Sequence, residues 1–275
     1  MALVGMSVTM LYSYRFYPLR LRGFNGILGE GMEMIRLGVA FTLAGIFGSG
    51  AEMIIRAYLN VNSDLCTVGL YNAGFMLTVT YAGMVFSAME TDYFPRLSAV
   101  NHDTAAVNLT VNRQIEVSVL LLSPMLAVFM LSLPILLPLL YTDSFLPVVA
   151  MAQIASLSMY FKSVYLPVSY VVLAKGESVA FLVLEALSYI FLVIFVIVGY
   201  SSCGLLGTGI ALSLSNLLDL ILAFLYAGFR YRYFPSSHVL RYSSVQIVLG
   251  LSAYAVTFVS DLSLYCVLGT TVCLA

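Results

Sequence analysis

The sequence holds no tryptophan, two histidines and four cysteines in 275 residues, and charged side chains make up only 9% of it. Each shortage excludes something. Soluble domains carry roughly 25% charged and about 45–50% apolar residues. A chain that is 61% hydrophobic, with a mean hydropathy of +1.01, has more apolar surface than a globule of this length could hide. Twelve Lys and Arg balance thirteen Asp and Glu, so no basic patch calls for a nucleic acid. His102 and His238 fall in connecting segments without metal-ligand spacing, so no metal is expected. No P-loop pattern occurs, and no catalytic constellation or cofactor signature stands out; the chain does not read as an enzyme. The N-terminus lacks the layout of a signal peptide, with no basic stretch before Ala2-Leu3-Val4. Without tryptophan, the 19 tyrosines and 17 phenylalanines must furnish any interfacial aromatic belt.

What is present is a series of continuous apolar runs, unlike the alternating strands of a membrane β-barrel. A bilayer-spanning helix needs about 20 apolar residues. The expected fold is therefore an all-α polytopic transmembrane helix bundle with seven complete spans and two truncated ones. The complete runs cover Met34–Ala57, Gly69–Glu90, Ile115–Leu140, Val148–Ala174, Ser178–Tyr200, Leu205–Phe229 and Ser243–Ser260. The stubs Met1–Tyr14 and Leu262–Ala275 would each reach only about 21 Å, so the chain is expected to be a fragment or to carry a misplaced start. Residues 1–33 read as the end of a preceding helix with an amphipathic linker, 34–229 as a six-helix lobe, and 243–275 as a further helix and a truncated last one.

Loop charge gives the orientation. Alternate connectors hold Arg15, Arg20 and Arg22, then Arg96 and Arg113, then Lys175, then Arg230, Arg232 and Arg241; the others, around Asn60–Asp64, Tyr141–Pro147, Ser201–Gly204 and Asp261, hold no Lys or Arg. The basic set is expected in the cytoplasm, which makes a multi-pass membrane protein. Two cytoplasmic connectors are long, Thr91–Gln114 and Arg230–Tyr242, and each carries a Tyr-Phe-Pro triplet (Tyr93-Phe94-Pro95, Tyr233-Phe234-Pro235). There the rings would anchor at headgroups while proline stops the helix; the alternative is a trace of internal duplication. The small residues Gly204, Gly207 and Gly209 suit close helix contact rather than a nucleotide. Cys66 and Cys203 fall on the extracytoplasmic side, where a disulfide is allowed, although unpaired small hydrophobes fit as well.

Ionisable residues inside spans cost roughly 2.5–3.5 kcal/mol each at a helix centre, so each needs a partner or a wet cavity. Arg36 and Glu116 sit near the cytoplasmic face and can snorkel. Glu52 and Arg56, four apart on one helix face, make either a local ion pair or part of a cavity lining. Lys162 lies near the midpoint of its span among Ser158, Tyr160, Ser163 and Tyr165, with Pro167 freeing a backbone carbonyl nearby; Asp219 lies equally deep beside Ser213, Ser215 and Asn216, and Glu185 about two turns in from the inside. Either Lys162 and Asp219 form a buried bridge, or they face a polar cavity that binds an anionic head group or a proton. Pro124, Pro134 and Pro138 fall in the span before Lys162 and are compatible with a kinked, mobile element.

The order Val68-Gly69-Leu70-Tyr71-Asn72-Ala73, then Ser87-Ala88-Met89-Glu90-Thr91-Asp92-Tyr93-Phe94-Pro95-Arg96-Leu97-Ser98, then Asn112-Arg113-Gln114 and Leu140-Tyr141-Thr142-Asp143-Ser144-Phe145 resembles the polysaccharide and O-antigen flippases of the multidrug/oligosaccharidyl-lipid/polysaccharide exporter superfamily, over about residues 34–229. The resemblance implies two lobes that rock around a central cavity and move a polyprenyl-pyrophosphate-linked oligosaccharide to the outer leaflet. This chain would be the C-terminal lobe. Lys162, Asp219, Glu185, Glu52 and Arg56 are the candidate cavity residues, and Lys162 would meet the pyrophosphate. Expected partners are the lipid bilayer, the lipid-linked oligosaccharide and a glycan polymerase or glycosyltransferases. A drug or small-cation antiporter of the same superfamily, or a non-transporting scaffold for glycan assembly, are the other functions the residues allow.

Overall fold

The computed structural model describes residues 27–259 and 262–274. The chain divides into two compact units, Met1–Val39 and Ala40–Ala275. Of the first, residues 27–39 are described and form the start of a helix; the stub expected over Met1–Tyr14 lies outside the described residues.

Among the described residues the structure is helical throughout, with no strand. The helices are α1 (Ile27–Asn62), α2 (Leu65–Phe75), α3 (Tyr81–Ala99), α4 (Thr104–Leu140), α5 (Val148–Ala174), α6 (Ser178–Tyr231), α7 (Ser237–Val256) and α8 (Leu262–Leu274), with a π-helical segment (Met76–Thr80) joining α2 to α3. Local chemistry sets several ends. The Asp103 carboxylate accepts from the amides of Ala105 and Ala106 (2.8 and 3.3 Å) to cap α4. Ser236 Oγ accepts from Val239 N (3.1 Å) to cap α7. After α5, Gly176 takes φ +76°, and the amides of Gly176 and Glu177 turn back to the carbonyls of Leu173 and Val172, a Schellman closure that an L side chain would strain.

Six helical stretches are long and apolar enough to cross a membrane. One of them, α6, has 54 residues, about 81 Å of helix against a hydrocarbon core of about 30 Å. It folds double instead of running straight. Cys203 and Gly204 leave helical geometry, Gly204 with φ +59° and ψ −140°, and residues 178–202 and 205–231 return along one another. The backbones of Gly199 and Gly207 touch: a Cβ on either would land on the other's carbonyl oxygen. The two arms occupy the places expected for the spans Ser178–Tyr200 and Leu205–Phe229. Gly209 lies against the backbone of α5, where a Cβ would sit 2.5 Å from Met151 O. These glycines therefore allow close helix contact.

Side chains such as Ile54, Ile135, Leu139, Val183 and Ile194 stay exposed, as lipid-facing residues do; the buried side chains gather in clusters between the helices. One, near the basic connectors, includes Tyr93, Leu97, Val111, Val168, Ala227 and Tyr233; another, at the opposite end, includes Leu59, Tyr71, Leu137, Val148, Met151 and Val196. Here three expectations are corrected. Pro95 lies inside α3 and does not stop it, and the supposed long connector Thr91–Gln114 is helical apart from residues 100–103. Nor do Tyr93 and Tyr233 anchor at headgroups. They are 1% and 2% exposed, because Tyr93 Oη donates to Pro167 O (2.7 Å) and Tyr233 Oη to Asn112 Oδ1 (2.9 Å), and a satisfied hydroxyl removes the penalty for burying the ring. Glu116, expected near the cytoplasmic face, lies three turns into α4, which begins well before the apolar run. Pro124, Pro134 and Pro138 are all accommodated inside α4, and Pro167 inside α5.

Connectors of like charge meet at one end. Asn101 Nδ2 donates to Ala174 O (3.0 Å) while Lys175 Nζ donates to Asn101 O. Asn108 reaches Arg232 O (3.5 Å), and Arg230 pairs with Glu177 at 2.8 Å. The other end gathers Tyr58, Tyr200, Tyr141 and Phe145 in ring contacts.

Candidate functional site

Helix α5 carries Lys162, the first arm of α6 carries Glu185 and Ser188, the second arm carries Ser215, Asn216 and Asp219, and α1 carries Glu52. These residues line one cavity of about 180 Å³, together with Tyr165, Tyr189, Phe75, Val79, Met159, Leu192 and Leu212. Periodicity explains the grouping. Glu185, Ser188 and Tyr189 recur at helical spacing on one face of an arm, as do Leu212, Ser215, Asn216 and Asp219 on the other. The hairpin turns both faces inward.

Packing between α5 and α6 fixes the back of the cavity. Ser213 Oγ donates to Ile154 O at 2.6 Å, Asn216 Nδ2 to Ser158 O at 3.3 Å, and Tyr165 Oη to Asn216 Oδ1 at 3.4 Å. Lys162 is half-buried, with its ammonium 5.5 Å from the centroid of the Phe86 ring. The ion pairs among the described residues join Arg56 to Glu52, Arg96 to Asp92 and Arg230 to Glu177; Lys162 forms no such pair, so the buried Lys162–Asp219 bridge is not made. Asp219 Oδ1 is itself buried without a hydrogen-bond partner. The cavity thus brings an ammonium that closes no ion pair among the described residues and an unsatisfied carboxylate oxygen to the same space, and both are costly to hold unless something polar fills it.

Four of the five sequence candidates, Lys162, Glu185, Asp219 and Glu52, line this cavity. Arg56 stands beside it: its Nη2 donates to Glu52 Oε2 (2.8 Å) and its Nε to Asn72 Oδ1 (2.9 Å), tying α1 to α2 through one residue of the Gly-Leu-Tyr-Asn-Ala run. The sequence analysis passed over Tyr189, Ser188 and Glu90. Tyr189 follows Glu185 by one turn, a spacing that could have flagged it. Glu90 was placed at the end of a span, where hydropathy falls, but α3 continues nine residues beyond it. The electrostatic pull of Glu90 on Lys162 exceeds that of Glu185 or Asp219. Cys66 and Cys203 are free and exposed; nothing is described of the side chains of Cys266 and Cys273. No cluster of His, Cys, Asp and Glu among the described residues could hold a metal ion.

Residues 1–150 match the family model described as polysaccharide biosynthesis protein. No curated protein matches the chain. Among solved structures, the fold is similar to that of a MOP superfamily transporter from Pyrococcus furiosus, described as having a binding pocket of reverse polarity. The TM-score is 0.60 at 14% sequence identity, over 82% of this chain and 54% of that one. The chain therefore spans about half the length of that transporter.

Proposed function

Since the chain belongs to the family of polysaccharide biosynthesis proteins, we propose that it is the C-terminal lobe of an inner-membrane carrier that translocates a polyprenyl-pyrophosphate-linked oligosaccharide. The carrying observation is Lys162. A mid-span ammonium without an ion-pair partner among the described residues, open to a cavity, is expensive at roughly 2.5–3.5 kcal/mol on insertion scales. A phosphate oxygen reaching it there would gain several kcal/mol of attraction that water would screen away. The polar groups around it, Asn216, Ser188, Ser215 and two tyrosine hydroxyls, offer hydrogen bonds to a sugar or head group. The connectors rich in Lys and Arg face the cytoplasm, and opening and closing would come from rocking against a second lobe. Glycan polymerase or glycosyltransferases would supply and remove the cargo. Export of surface glycan by the complete protein tests this reading: Lys162→Met should abolish it, and export at the parental level would overturn the assignment.

A second reading has an observation of its own. Three carboxylates, Glu52, Glu185 and Asp219, line the cavity against one lysine, beside two tyrosines and a phenylalanine. Such a lining also suits a small organic cation exchanged for a coupling ion. Efflux of cationic dyes that needs Glu185 and Asp219 but ignores Lys162 would favour this antiporter over the glycan carrier. The scaffold alternative calls for Lys162 and Asp219 closed on each other in a dry core, an arrangement that the cavity and the missing ion pair do not support.

A further inference from the structure

Glu90 belongs to none of the roles above, and three observations connect it to Lys162. Glu90 follows Phe86 by four residues on α3, so it lies on the same face about 6 Å further along. The Lys162 ammonium rests over the ring of that same Phe86, an arrangement favoured when the cation is desolvated. Glu90 does not line the main cavity; it borders a separate pocket of about 10 Å³ shared with Phe86, Gln114, Ser118 and Tyr170. That is room for about one water with several polar partners. The ammonium is thus poised between two sets of carboxylates, Glu90 on α3 and the Glu185 and Asp219 pair on α6, and of the three Glu90 acts on it most strongly.

The two sets sit on different helices. Lys162, Glu185 and Asp219 ride on a single block, because α5 and α6 are joined by the Ser213–Ile154 and Asn216–Ser158 hydrogen bonds and by the contact of Gly209 with the Met151 backbone. Glu90 rides on α3, which reaches α2 through the π-helical segment Met76–Thr80. Such segments inside helices are frequent at functional sites, and Val79 of this one lines the cavity beside Phe75. Tyr93 Oη, three residues beyond Glu90, donates to Pro167 O of α5 (2.7 Å), so the two sets keep their separation and the Lys162 side chain is the part that shifts between them.

We infer that Glu90 is a positioning residue whose charge, from beyond ion-pair distance, holds the Lys162 ammonium toward α3 and competes for it with the anion that enters the cavity. An anion arriving in the cavity draws the ammonium away from α3; its departure lets Lys162 return. This inference rests on the anionic head group proposed above.

Calorimetric titration of the chain in lipid nanodiscs with inorganic pyrophosphate tests it. Removal of the competing charge by Glu90→Gln should tighten pyrophosphate binding about tenfold, the scale of one partly screened charge at this range. Glu90→Asp, which keeps the charge, should stay within about threefold of the parent, and Lys162→Met should lose binding. A role for Glu90 in packing alone would lower thermal stability in both Glu90 variants and leave the affinity of Glu90→Gln at the parental value, which overturns the inference. Loss of binding in Lys162→Met together with that unchanged affinity would sink only the role of Glu90. A parent chain that binds no pyrophosphate would remove the anionic head group as well.

Discussion

The contact of Gly209 with Met151 offers a direct test of how α5 and α6 are joined. In Gly209→Ala the new Cβ would lie 2.5 Å from Met151 O and 3.2 Å from its carbonyl carbon. Ordinary C···O contacts fall at about 3.3–3.6 Å, so the helices must part by about 0.8 Å, and both atoms on the α5 side are backbone with no rotamer to yield. Overpacking of this kind costs about 1–3 kcal/mol. The neighbouring Ser213–Ile154 bond, at 2.6 Å, would stretch and lose about 1 kcal/mol. Alanine returns about 1 kcal/mol of helix propensity. The net is a loss of about 2 kcal/mol, or about 4–8 °C of Tm at about 2–4 °C per kcal/mol. Gly228→Ala supplies the matched control in the same helix, since its Cβ would meet only Tyr233 O at 3.7 Å, and propensity alone should raise the Tm slightly. Thermal unfolding in detergent followed by circular dichroism reads both. If Gly209→Ala melts at or above Gly228→Ala, the account of backbone contact is wrong.

Tyr93→Phe should lower stability by about 1 kcal/mol, because it removes the bond to Pro167 O across α3 and α5; an unchanged melting point would show that water replaces the hydroxyl. Partial burial raises the Glu177 carboxyl, but hydrogen bonds from Arg230 and Tyr226 outweigh it and hold the group below its ordinary value. A carboxyl depressed in the fold contributes stability that is complete above its unfolded value near about 4.3 and is lost as pH falls through the lower folded value. The Tm advantage of the parent over Glu177→Gln should therefore be constant above about pH 5 and shrink in more acidic buffer; an advantage that grows with acid would contradict the pairing. Cys66 and Cys203, both free and exposed, should react with a membrane-impermeant maleimide added outside intact spheroplasts. Labelling only after the membrane is broken would reverse the proposed orientation.

Hydropathy located the spans well because a bilayer imposes an apolar run of fixed length, and it found Lys162, Asp219 and Glu185 because charge inside such a run is expensive. The same rule misled at Glu90 and Pro95. Once α3 leaves the apolar region nothing obliges it to stop being helical, and proline near a helix end removes one hydrogen bond without ending the helix. Burial of Tyr93 and Tyr233 was illegible for another reason. Their hydroxyl partners lie 74 and 121 positions away, and local sequence does not reveal which carbonyl or amide a ring will meet. Glycine at 204 was visible as a small residue, but the doubling back of α6 depends on its positive φ together with the contact between Gly199 and Gly207.

That doubled helix bears on how the protein enters its membrane. Released singly from the ribosome, each arm would bring one naked carboxylate, Glu185 or Asp219, into lipid. If it emerged as a pre-paired couple, with its two glycine backbones already in register, the segment would shield both acids from the acyl chains and face the insertion machinery as one object rather than two.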